Sequence, residues 1–288
     1  MEYIIHIIIL SAITAISSVS LNLVLGFTGL LSATHAALYG IGAYTVAIML
    51  TRIGVDFFLS MIVAMFISGL VAFLVGLILN RFRDDYYAIA TIAFQMVMAT
   101  VFLYWQSLTR GPLGISSIAR PSIFGFSFSS NISFLILSIV ILGIIIFVSK
   151  RIVDSSFGRV LKSLREDEQA VEVFGYRTYH FKLTIFTIAA MMAACGGALY
   201  ASYFSYINPP SFYLFYSIVA ITTVVFGGLA SIRGSVLASV VIVVLPEALR
   251  FVGFPNDVAA QMRQVLFGLA LILLMLYRPQ GLLGEYKL

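Results

Sequence analysis

The side chains able to do chemistry in this chain are few, and most of them sit together. Residues Lys150 to Lys182 hold seven of the 17 basic and five of the 12 acidic side chains in a 288-residue sequence that is 61% hydrophobic. The acidic members are Asp154, Glu166, Asp167, Glu168 and Glu172. No pattern for a nucleophile, a metal or a phosphate accompanies them. H-E-x-x-H, G-x-S-x-G and G-x-x-x-x-G-K-[ST] are all missing from the sequence, and His6, His35 and His180 lie in unrelated contexts. Catalysis, a metal site or a cofactor in this chain is therefore not expected. The lone Cys195 excludes an intrachain disulfide and reads as a small packing residue. A proton relay would need an acid at membrane depth. Glu247 is the single acidic residue inside an apolar stretch; Arg250 is one helical turn away on the same face, so an ion pair between them is expected.

The elements that must position these groups are membrane helices. A span needs about 20 mostly apolar residues, and nine stretches qualify: 3–25, 29–50, 57–79, 86–105, 131–149, 181–206, 212–231, 234–252 and 258–277. They are continuous and rich in Leu, Ile, Ala and Val, which argues against the alternating segments of a β-barrel. The expected fold class is an all-α polytopic membrane protein of about nine (eight to ten) helices, forming a single transmembrane domain over 1–288. The first stretch has Glu2 and no basic residue before it, so it reads as a mature helix and not a signal peptide. Placing the charged segment inside puts 12 of the 17 basic residues on the cytoplasmic side, with the amino terminus outside and the carboxyl terminus cytoplasmic. The net charge of +5 thus reports orientation, and no nucleic-acid partner is expected.

Charges cost about 2.5 to 3.5 kcal/mol each at the centre of an inserted helix, so 150–180 must be a loop outside the hydrocarbon. It is an ordered loop, because Val160, Leu161 and Leu164, then Ala170, Val171 and Phe174, recur at helical spacing. Asp167 is a suitable N-cap, Glu168 suits a first turn and Gly175 can end the helix in the left-handed region. A short amphipathic helix near 167–174 follows, with its apolar face on lipid, on its own bundle or in a groove on a cytoplasmic partner.

Two spans carry small residues at four-residue spacing: Ala64, Ser68, Ala72 and Gly76, then Ala189, Ala193, Gly197 and Ala201, the latter beside a second stripe of Ala190, Ala194, Ala198 and Ser202. Such stripes let helices approach closely in lipid. In the second span Ser32, Thr34 and His35 precede Gly40, Gly42 and Tyr44, polar groups beside glycines that weaken a helix; a break lining a substrate path is one reading, a His35 satisfied near the helix end the other. Gly228-Leu229-Ala230-Ser231 echoes Gly29-Leu30-Leu31-Ser32, with both runs at turns on the inside.

The segment "LREDEQAVEVFGYRTYHFKL" resembles the cytoplasmic loop of branched-chain amino acid ABC transporter permeases of the LivM type, in which an acidic residue is followed three positions later by Gly and then by Lys; Glu172, Gly175 and Lys182 fit, and Val173 stands where Ala is more usual. "GLLSATHAALYGIGAYTVAIM" is similar to the family's second helix. "LTRGPLGISSIARPSIFG" is similar to its outer loop, with Arg110 in place of a glycine. "INPPSFYLFYSIVAITTVVFGGLASIRGSVLAS" and "YRPQGLLG" match closely, with Ala230 and Ala238 in place of glycines. The resemblance implies a permease subunit of an ATP-driven importer in a bacterial or archaeal inner membrane, for branched-chain or other amino acids, with urea or short amides as an alternative cargo. It implies a second permease subunit, two cytoplasmic ATPase subunits that bind the ATP, an extracytoplasmic substrate-binding protein and membrane lipid as partners. Asp167, Ala170, Val171, Glu172, Phe174, Gly175 and Lys182 would then couple to the ATPase. Ser32, His35, Gly40, Gly42 and Tyr44 would flank the translocation path, and Arg110 and Arg120 would meet the binding protein. The rival from another class is a self-sufficient secondary transporter.

Overall fold

Helices at the expected places make up almost all of the fold. The computed structural model describes residues 2–82, 84–123 and 126–250, and beyond these only positions 262, 265, 266, 268, 269, 272, 276 and 280–283. In chain order the helices are α1 (Glu2–Thr28), α2 (His35–Ile48), α3 (Phe57–Leu79), α4 (Asp84–Tyr104), the single turn α5 (Gln106–Thr109), α6 (Asn131–Asp154), α7 (Ser156–Glu166), α8 (Glu168–Val173), α9 (Thr178–Phe204), α10 (Leu214–Gly227) and α11 (Ile232–Arg250). Among the described residues, seven helices are long and apolar enough to cross a membrane. The chain is an all-α polytopic membrane protein. Helix α11 fills the eighth expected span, while most of the ninth, 258–277, lies outside the described residues. The outer loop adds two small antiparallel pairs, β1 (Ile115–Ser116) with β4 (Tyr206–Ile207) and β2 (Ser122–Ile123) with β3 (Phe126–Ser127).

The small-residue stripes are packing seams. Helix α9 runs through the centre against α1, α2 and α3. A Cβ on Gly42 would fall 2.4 Å from the Cα of Ala194, and one on Gly197 would fall 2.0 Å from the Tyr39 carbonyl oxygen, so the backbones of α2 and α9 touch where only glycine fits. Ser68 of α3 lies within 3.2 Å of the carbonyls of both Leu38 and Ala190, joining α3 to α2 and α9 together. Close contact of this kind replaces the hydrophobic effect that lipid removes. Gly40 and Gly42 therefore do not break α2, which runs through them uninterrupted.

The irregular backbone lies elsewhere. The turn 29–34 separates α1 from α2, and α2 ends in a π-helical turn, Met49–Ile53, closed by Gly54 in the left-handed region (φ 73°). Positive φ also occurs at Arg110 (61°) and Ala230 (61°), two of the three positions where the family resemblance leads one to expect glycine; the third, Ala238, lies within α11. The left-handed conformation costs an L-residue roughly 1–2 kcal/mol, which explains why glycine suits these turns.

The bundle has two distinct ends. Turn 29–34, the α10–α11 turn and helices α7 and α8 share one: Arg165 donates to the Gly26 carbonyl, and a Cβ on Gly26 would approach the Ala230 amide to 2.6 Å. The outer loop and the start of α1 share the other, where His6 Nδ1 lies 2.6 Å from the Tyr203 hydroxyl. The two echoing glycine turns thus lie at the same end of the bundle.

Gly197→Val is expected to destabilise the protein by about 1–3 kcal/mol through overpacking, read as a lower thermal midpoint in detergent. Gly143→Ala should leave the midpoint unchanged or raise it, because a Cβ there meets nothing within 4 Å.

Candidate functional site

Two groups of the expected residues are brought together, and they lie in different parts of the molecule. The first is the α7–α8 unit outside the membrane-spanning helices. Ser155 caps α7, accepting from the Gly158 amide at 3.3 Å, and Asp167 caps α8, accepting from the Ala170 amide at 3.0 Å. Helix α8 ends as expected: Gly175 has φ 86°, its amide donates to the Glu172 carbonyl at 2.9 Å, and the Tyr176 amide reaches the Val171 carbonyl at 3.3 Å. Val171 is buried against the bundle. Val173 and Phe174 point away from it, 86% and 82% exposed. Between α7 and α8 runs a groove of about 850 Å³, lined by Phe157, Val160, Ala170, Val171, Phe174 and Phe181 among others. Lys182 is not on this surface. It is buried in the first turns of α9, where its ammonium pairs with the Glu168 carboxylate. Glu172 accepts from the Thr178 hydroxyl at 2.8 Å.

The second group lies along α2. Ser32, His35 and Tyr44 are all buried. The Ser32 and Thr34 hydroxyls are 2.9 Å apart, and His35 Nε2 is 3.0 Å from the Ser20 hydroxyl of α1, which is the satisfied-histidine arrangement. Tyr44 stands nine residues further on, roughly 14 Å along a helix rising 1.5 Å per residue. Its ring stacks on Phe102 at 4.9 Å, and its hydroxyl is buried with no hydrogen-bond partner among the described residues. Gly40 makes room for the same aromatic cluster, since its Cβ would press on Phe102 and Phe212. These residues mark out one helix and do not form one pocket.

Sequence reading missed the side chains that hold this helix in place. The amino-terminal N–H groups of a helix have no carbonyl partners within it. Here the Ala33 amide donates to Thr91 Oγ1 (3.2 Å), the Ala36 amide to Ser217 Oγ (3.0 Å) and the Ala37 amide to Gln95 Oε1 (2.7 Å). Gln95 also donates to the Phe212 carbonyl at 2.8 Å, and Ser217 to the Ala33 carbonyl at 2.6 Å. Asn22 does the same for the α10–α11 turn, accepting from the Ala230 amide and donating to the Ser231 carbonyl and the Ser235 hydroxyl. The available signal was chemical: Asn22 and Gln95 are carboxamides inside apolar spans, where an amide without partners is expensive.

The outer loop is shaped as its glycines and prolines suggested. A Cβ on Gly114 would meet the Ile207 carbonyl at 2.1 Å, which seats β1 against β4. Arg120 is held by the Ser129 carbonyl and by Asn131 Oδ1, and Arg110 is exposed. The Glu247 carboxylate accepts from the Tyr3 hydroxyl at 2.5 Å, while the side chain of its expected partner Arg250 lies outside the described residues.

This arrangement, a helical bundle with a short capped helix projecting from one end, agrees with comparison to known proteins. The family of permease components of branched-chain amino acid transport systems matches over residues 3–275. The chain belongs to that family. The LivM permease proteins of Salmonella typhimurium and Escherichia coli are each 32% identical over 297 residues, covering 95% of this chain and 68% of theirs. The Salmonella LivH permease protein is 26% identical, with 94% of this chain and 91% of its own covered. No solved structure matches. Members of this family are permeases of ATP-binding-cassette importers.

Gln95→Leu removes partners from the Ala37 amide and the Phe212 carbonyl. Each buried group left unpaired costs about 1–3 kcal/mol, so the variant should unfold at a lower temperature in detergent. Thr100→Val should not, since Thr100 is exposed and bonds only within its own helix.

Proposed function

We propose that this chain is the membrane-spanning subunit of an importer of branched-chain or other amino acids, powered by ATP hydrolysis in separate cytoplasmic subunits. It resides in a bacterial or archaeal inner membrane with α7, α8 and the carboxyl terminus on the cytoplasmic side. A second permease subunit, two ATPase subunits and an extracytoplasmic binding protein complete the complex, and this chain itself is a conduit without catalytic activity. The similarity to both LivM and LivH proteins, named as high-affinity branched-chain amino acid permeases, supports the cargo and the paired permease.

The observation that carries this reading is the exposed Val173–Phe174 tip of α8. Large apolar side chains exposed outside the membrane spans mark an interaction site, and the capped, charged helix that holds them suits insertion into a groove on a soluble partner. Asp167, Ala170, Val171, Glu172 and Gly175 fix the shape of that tip, and Lys182 anchors it. A secondary transporter would need a membrane-depth acid for ion coupling, and Glu247 is engaged with Tyr3.

The route for the substrate runs beside α2. Ser32, His35 and Tyr44 are buried in the state described, so a route past them opens only when α2 shifts against its neighbours. Gly40 and Gly42 supply the close contacts across which such a shift is transmitted. At the outer end Arg110 presents its charge to the binding protein, whereas Arg120 shapes the loop. Rim charges of this kind set encounter rate and salt dependence.

A cysteine at Phe174 should crosslink to the ATPase subunit, and Gly175→Pro should abolish ATP-driven uptake while the protein stays in the membrane. Proline can neither adopt φ 86° nor donate to the Glu172 carbonyl. Normal uptake by Gly175→Pro in the reconstituted complex would overturn the coupling role. A cysteine at Ser32 should react with a water-soluble maleimide in one nucleotide state of the complex; protection in every state would remove α2 from the route.

A further inference from the structure

Helix α8 is tied to α9 by more than the four residues that connect them. The Lys182 ammonium, its side chain only 5% exposed, pairs with the Glu168 carboxylate at the start of α8. The Thr178 hydroxyl donates to Glu172 near the other end of the same helix, at 2.8 Å. The connection itself is a stiff turn, closed by the Gly175 and Tyr176 amides on the Glu172 and Val171 carbonyls. Val171 packs inward between these ties.

An ammonium as buried as that of Lys182 is costly unless paired, and removing one partner of such a pair destabilises far more than forming it stabilises. The pair is therefore maintained against separation of α8 from α9. Beyond it α9 meets α2 backbone to backbone at Gly42 and Gly197, and Ser68 joins α3 to both. By contrast, α7 reaches α1, through Arg165 on the Gly26 carbonyl and Lys162 over the Phe27 ring. Extended backbone at Asp167 (φ −157°, ψ 105°) separates the two coupling helices.

We infer that Glu168 and Lys182 are positioning residues for transport: their buried ion pair makes α8 a rigid extension of α9, so that a displacement applied at Val173 and Phe174 reaches the α2–α3–α9 core. The inference rests on the reading of α8 as the ATPase-coupling helix. Both residues also line a cavity of about 370 Å³, together with Asp85, Arg165 and Glu166.

The test uses the full complex in liposomes and reads substrate imported per ATP hydrolysed. Glu168→Gln and Lys182→Gln should each lower this ratio by about fivefold or more, the lower bound for a coupling free energy between sites. ATPase activity should continue in both. The exchanged pair, Glu168→Lys with Lys182→Glu, should recover at least half of the wild-type ratio, which a residue needed only for its own shape would not. Cysteines at both positions, which remove the pair, should lower the ratio as the single variants do, and joining them with a bis-maleimide should raise it again, because a rigid extension needs only to be held together. Single variants with a wild-type ratio, or a crosslink that blocks uptake, would overturn the inference. Should the single variants not assemble, the crosslinked protein decides alone. Failure of the wild-type complex to link uptake to ATP would instead remove the functional reading on which the inference rests.

Discussion

The amide N–H groups of Ala33, Ala36 and Ala37 point into the bundle at a place where no preceding helical turn offers them a carbonyl and no bulk water reaches. Non-helical backbone inside a membrane protein persists only where other parts of the protein satisfy it. Thr91 and Gln95 from α4 and Ser217 from α10 do so. That requirement decides which helices surround α2: α4 and α10 must lie at its amino end, at a depth fixed by the length of a Gln side chain. Asn22 imposes the same discipline on the α10–α11 turn, and Arg165 closes the carboxyl end of α1. The interrupted helices of this permease are held in register by polar side chains reaching across from their neighbours.

Against these polar ties stands a seam with almost no side chains at all. Where α2 crosses α9, Gly42 and Gly197 bring the backbones into contact, and the alanine stripes of α9 extend that contact along its length. Dispersion at such short range is sensitive to displacement, since a gap of 0.5–1 Å forfeits roughly a quarter to a half of each contact. A seam of this sort moves as a unit. The central helices α2 and α9 are therefore suited to stay together under a displacement.

The charged loop combines two duties that its sequence does not separate. Asp167, Glu168 and Glu172 all look like surface charges on a short helix, yet they act in different directions: Asp167 caps α8, Glu168 neutralises a buried lysine and Glu172 binds the first turn of α9. The apolar side chains divide likewise, Val171 inward and Val173 with Phe174 outward. One face fastens the helix to the permease and the other is left exposed.

Much of this was legible in the sequence because it depends on properties that act locally. Runs of about twenty apolar residues form helices long enough to span a membrane, and Asp167 with Gly175 brackets a helix by cap chemistry alone. The alanine and glycine stripes likewise predicted close packing, since small size is a property of the residue itself. What the sequence could not decide was pairing. Gly40 and Gly42 read as a weakness in α2, but opposite them stand Phe102, Phe212 and Ala194, which turn the missing side chains into contact surface. Lys182 read as a coupling residue of the loop and is a buried anchor, because the turn at Gly175 folds Glu168 back onto it. Gln95 and Asn22 announced by their chemistry that they needed partners, but the partners are 58 and 208 residues away in the chain. Only the tertiary structure brings such groups within hydrogen-bonding distance, because an interaction that acts over about 3 Å carries no trace in a sequence beyond the demand that something satisfy it.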